Sequence, residues 1–132
     1  MKYSRGVVLA AVIALCAVSF AAAGTPGGDS TIDWKKAEQN YIAALKSSNT
    51  GAQASAAFHI RKYNLTGATE ELKTLLGRNN ADNVKMSAAL ALVKVGGVEG
   101  KTAVEEALKT EENELVAEFY RSILADRITA RN

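Results

Sequence analysis

Very little in this sequence can do chemistry. Its 132 residues hold one cysteine, one proline, one histidine and one tryptophan, and aromatic residues make up only 6%. One cysteine excludes an internal disulfide and any metal site built from several thiolates. A single histidine, His59, has Ser55 and Tyr63 one turn away, both poor metal ligands, and no nucleophile with an orienting acid beside it. His59 therefore reads as a space-filling or hydrogen-bonded residue beside Tyr63. The acidic pairs Glu70-Glu71, Glu105-Glu106 and Glu111-Glu112 read as helix-dipole or solvated carboxylates, and Gly96-Gly97 lacks the context of a phosphate loop. No catalytic, cofactor-binding or metal site is expected, and no cofactor.

The long apolar run is confined to the start. Lys2 and Arg5 precede a stretch from Val7 to Phe20 that is nearly all Ala, Val, Leu and Ile, and Ala21-Ala22-Ala23 follows before Gly24. This is the layout of a secretory signal, with cleavage expected after Ala23. The run is shorter than the roughly 20 residues of a spanning helix, so no stable membrane insertion is expected after cleavage. Periplasmic or secreted localisation follows. Cys16 would leave with the signal, as would Lys2 and Arg5. The 16 basic residues would fall to 14, equal to the 14 acidic ones, so the net charge of +2 would become zero. The sequence pI of about 8.7 then gives no argument for nucleic acid, which needs a basic stripe. Residues 24–32, holding Pro26 and three glycines, read as a flexible leader.

What is present is repetition. Residues 52–76 read again at 84–108, a shift of 32 positions, and a partial third copy starts at Val116. Ala52, Val84 and Val116 share a column, as do Ala56, Ala88 and Tyr120, and Ile60, Leu92 and Leu124. Leu72 lies over Val104, Leu75 over Ala107 and Leu76 over Leu108. A period of this size marks stacked units that bury their apolar faces only against neighbours. The spacing predicts six helices: about 33–47, 52–63, 68–77, 83–95 and 101–109, then one beginning after Thr110. Asp33, Asp82 and Thr110 are the expected N-caps. No segment alternates as a strand does, so the fold class is all-α, with a repeat domain over 33–132.

Terminal units should be atypical. Where inner units have Ser55 and Ser87, Ala56 and Ala88, the last has Phe119 and Tyr120. These two are expected to cap one end of the stack, and Trp34 the other.

Asp82-Asn83-Val84-Lys85, Ala88-Ala89-Leu90-Ala91-Leu92, Val95-Gly96-Gly97 and Val104 with Ala107-Leu108 resemble one unit of a HEAT-like repeat, of the short phycobilin lyase type. The likeness covers about residues 37–128, as two fairly complete units between a leading and a trailing half-unit. It implies a short right-handed α-solenoid of helical hairpins, a binding scaffold rather than an enzyme. Iron-binding relatives of the deoxyhypusine hydroxylase kind use several His-Glu pairs, and here the one histidine is followed by Ile60. In such stacks the second helix of each pair lines the concave side. The contact face carried onto this chain is Gln39, Ala43, Glu70, Lys73, Thr74, Thr102, Glu105 and Glu106. The function expected is protein–protein interaction as an exported scaffold or adaptor, with an unidentified protein partner. Self-association as a weak homo-oligomer, or an accessory role in cofactor or pigment attachment, are the alternatives.

Overall fold

The computed structural model describes residues 31–125. The expected signal segment, its cleavage point, Cys16 and nearly all of the leader lie outside the described residues. The helices belong to the second of two units of the chain, which begins at Asp33. They are α1 (Trp34–Leu45), α2 (Thr50–Tyr63), α3 (Thr69–Thr74), α4 (Asp82–Val95), α5 (Gly97–Thr110) and α6 (Glu114–Leu124), with a 3-10 turn at Thr66–Ala68 before α3. Among the described residues there is no strand. The fold is all-helical, as the repeat pattern predicts.

The repeat columns are the core. Ile60, Leu72, Val84, Ala88, Leu92, Val104, Val116 and Tyr120 are all buried to 2% exposure or less. Each large aliphatic side chain so buried contributes roughly 1.5–3 kcal/mol. Two layers result. The first helices of the units, α2, α4 and α6, pack in succession, and α1, α3 and α5 form the second layer against them. α4 touches four other helices, which is why eight of its 14 residues are buried.

Two features of α4 follow from that crowding. Its junction with α5 is made by backbone: a methyl group on Gly100 would stand 2.2 Å from the Leu92 carbonyl oxygen, and one on Gly96 would stand 2.7 Å from Gly100 Cα. Gly97 takes φ +55, the left-handed conformation that glycine adopts cheaply, and so turns the chain straight from α4 into α5. The expected stop at Gly96-Gly97 is thus a corner between two helices, and α5 begins four residues earlier than its apolar spacing suggests.

The second feature is a buried cation. Lys85 is only 4% exposed and meets Glu111, 5% exposed, with Nζ donating to Oε1 at 3.0 Å and to Oε2 at 2.9 Å. Asp82 Oδ1 lies 3.3 Å from the same ammonium. Asn113 completes the knot: its backbone N–H donates to Glu111 Oε1 at 2.9 Å and its Nδ2 to Asp82 Oδ2 at 2.6 Å. Arg78 pairs with Glu112 alongside. These contacts tie the turn before α4 to the turn before α6.

This network displaces the expected caps. Asp82 lies inside the first turn of α4 rather than capping it, and Ala81 makes no side-chain cap. Asn113, not Thr110, caps α6, its Oδ1 accepting from the Leu115 N–H at 3.0 Å. Asp33 caps α1 as expected, accepting from the Lys36 N–H.

Burial works against the Lys85 charge, but its bonds to Glu111 and Asp82 overcome that and raise its pKa. Burial likewise opposes the Glu111 charge, and the Asn113 N–H and Lys85 reverse the balance, so that its pKa is lowered. A lowered carboxylate pKa stabilises the fold at neutral pH. That contribution fades as pH falls out of the ordinary carboxylate range, near 4. The raised lysine pKa gives stability that is lost only as pH climbs past the ordinary lysine range. Lys85→Ala is expected to cost about 3 kcal/mol in urea unfolding, because it leaves the enclosed Glu111 carboxylate without its cation. Lys85→Met combined with Glu111→Leu should recover most of that loss and flatten the acid limb of the stability curve. Gly100→Ala is expected to cost about 3 kcal/mol by overpacking, since backbone must move to admit the methyl group.

Candidate functional site

The second-layer helices carry the expected contact face. Gln39 and Ala43 lie on α1, Glu70, Lys73 and Thr74 on α3, and Thr102, Glu105 and Glu106 on α5. Lys73 is partly covered and the other seven are exposed. Helices α1, α3 and α5 neighbour one another in that order, so residues far apart in sequence share one layer. Lys73 is its hub. Its Nζ donates to Glu99 Oε1 at 2.7 Å and to Glu70 Oε1 at 3.0 Å, bridging α5 and α3. Those two carboxylates hold its pKa above the ordinary lysine value. Lys109 donates to Glu106 at 2.6 Å. Lys46 reaches Glu71 at 3.5 Å. The face is polar, of mixed sign and already engaged in its own ion pairs.

At the front of the stack is an aromatic ladder. The His59 ring stacks on Tyr41 with centroids 5.3 Å apart and on Tyr63 at 5.9 Å, and Phe58 meets its edge at 5.3 Å. Trp34 lies against Tyr63 at 4.9 Å and keeps 44% of its surface exposed. Lys62 and Arg61 stand over the Tyr63 and Phe58 rings. His59 Nδ1 is buried with no hydrogen-bond partner, so this histidine is held by its rings. The sequence reading placed His59 beside Tyr63 but did not join these rings into one strip. The signal was there, in the i,i+4 spacing of His59 and Tyr63 and the i,i+7 spacing of Trp34 and Tyr41.

At the other end Phe119 is partly buried against the core and Tyr120 is wholly buried within it. The Tyr120 hydroxyl has no hydrogen-bond partner, and burial, with the nearby Glu111 and Asp82 charges, pushes its pKa far above the ordinary phenol value. Outermost on α6, Arg121 pairs with Glu114 at 2.9 Å and Glu118 at 3.2 Å. Among the described residues no group of three or more His, Cys, Asp or Glu side chains is placed to hold a metal ion. No described helix is long and apolar enough to cross a membrane.

The model of the HEAT repeats family matches residues 39–123, well over half of the chain. This chain belongs to the HEAT repeat family. No curated protein and no solved structure matches it. HEAT repeats generally mediate protein–protein interaction as scaffolds and are typically non-enzymatic. In HEAT terms, among the described residues α2–α3 and α4–α5 are the two whole units, α1 is a second helix without its first, and α6 is a first helix without its second.

The ladder gives a direct expectation. Trp34 emission should be quenched by acrylamide to a degree between that of a free indole and a buried one. Tyr63→Ala, which removes two ring contacts, should lower stability by about 1 kcal/mol in urea titration.

Proposed function

We propose that this protein is an exported HEAT-repeat adaptor, built of short phycobilin lyase-type units, that binds another protein through the face of α1, α3 and α5. The observation that carries this reading is the exposed row of Gln39, Glu70, Thr74, Thr102 and Glu106 across three neighbouring helices. A row of short polar and charged side chains on a rigid two-layer stack suits a modest, exchangeable contact rather than an obligate one. Export is supported by the basic start, the apolar run and the small residues before Gly24. Periplasmic or secreted localisation is part of the same proposal, as is the absence of catalysis.

A photo-crosslinking amino acid placed singly at Thr74, Thr102 and, as a control on the other layer, Lys94 tests the contact face in cells. One recurrent crosslinked species from Thr74 and Thr102, absent from Lys94, is the expected result. The same species from Lys94 alone would move the contact to the other layer. Intact mass of the fractionated protein tests export: a soluble species beginning at Gly24 is expected, and retention of residues 1–23 would overturn the cleavage.

A further inference from the structure

Among the described residues, this stack begins and ends on half a unit. α1 occupies the place of a second helix and α6 that of a first helix, and among the described residues no first helix precedes α1 and no second helix follows α6.

The consequence can be read by comparing repeat positions. On α4, Val84, Ala91 and Val95 form one stripe and are exposed by 1%, 0% and 8%. The equivalent stripe on α2 is Ala52, His59 and Tyr63. The first two are only partly buried and Tyr63 is 39% exposed. α2 packs on α4, and no first-layer helix precedes it among the described residues, so this stripe is only partly covered and is lined by rings. At the far end the opposite stripe is bare. Ala89 and Val93 of α4 are buried, while their equivalents on α6, Arg121 and Ala125, are exposed.

Charge distinguishes the ends as sharply as shape does. From Asp33 to Tyr63 there are five basic and two acidic residues. From Gly97 to Ala125 there are seven acidic and three basic. The front of the stack is positive and aromatic, and the back is negative, with Leu115 69% exposed on α6.

We propose that a second copy of this chain occupies the front of the stack, its α6 lying on α2 and α1 of the next copy so that α6 and α1 together form a complete HEAT unit across the junction. The contact is heterologous, head to tail, and so open to extension. Glu114 and Glu118 of one copy would meet Lys62 and the rings of the next, and Arg121 is placed to stack on an aromatic face. Because most of the attraction is between exposed charges, the contact is weak and sensitive to salt. It uses the ends of the stack and does not depend on the contact face proposed above.

Sedimentation of the protein expressed from its full-length sequence tests this with two end-blocked variants. Glu118→Lys blocks the back. Tyr63→Glu blocks the front, with Lys62→Glu as a milder second front variant should Tyr63→Glu fail to show native helicity. The wild type is expected to show a weight-average mass rising above that of one chain between about 10 µM and several hundred µM at low salt. It should return to a single chain near 1 M salt, where the screening length falls to about 3 Å. Each variant alone should remain a single chain, and an equimolar mixture of a front and a back variant should form a one-to-one pair through the intact ends. A wild type that stays a single chain throughout overturns the proposal. So does a back variant that still self-associates, which would mean front-to-front pairing, or a mixture that does not pair.

Discussion

α4 meets four other helices, and the rest of the fold is arranged around that constraint. A helix touched by α2, α3, α5 and α6 must let four neighbours approach, so it is built of small residues where contact is closest: Ala88, Ala89 and Ala91, each fully buried. Against α5 even alanine is too large, and Gly96 and Gly100 bring backbone to backbone. Large side chains are pushed to the columns between helices, where Leu92, Ile60 and Val104 meet. The stack is held by close approach at its centre and by bulk at its margins, as expected of interiors packed to crystal-like density.

The same crowding explains the buried polar knot. Lys85 sits where the repeat places it, one residue after the Val84 column, and enclosure obliges it to find partners. Glu111 and Asp82 provide them, and Asn113 in turn donates to both of those carboxylates. Buried ion pairs are poor sources of net stability but strong discriminators of arrangement. Here the pair fixes which turn lies against which. The neighbouring unit solves the equivalent problem differently: Gln53 donates to the carbonyl oxygens of Leu45 at 3.1 Å and Ser47 at 2.8 Å, closing the end of α1.

The architecture was legible because the period repeats the apolar columns, and those columns became the core. Helix class and the positions of α1, α2 and α4 follow from that pattern to within a few residues. The ends of the helices were less legible, for a physical reason. Asp82 and Thr110 are good capping residues locally, yet tertiary partners claimed the first, and Asn113 lay closer to the start of α6. α3 is shorter than its spacing suggests mainly at its end, where the Leu75, Leu76 and Gly77 N–H groups bond three residues back, and the 3-10 turn at Thr66–Ala68 takes its first residue, choices that propensity does not resolve. The polar face of α1, α3 and α5 could be placed from the register, but its internal pairing could not. Lys73 reaches Glu99, 26 residues away, and only the fold brings them together.

One column of the repeat holds Gln53, Lys85 and Ala117 in turn: a neutral amide, a cation and a methyl group. The units resemble each other in what they bury and differ at this point in what they can tolerate nearby. Modules that share one pattern of buried columns invite misassembly, in which one slips into the place of another during folding. If α2 took the seat of α4 beneath α6, Glu111 would face an amide where it needs an ammonium, and Lys85 would be left to find another anion. The column thus tells one unit from the next and favours a single order of assembly.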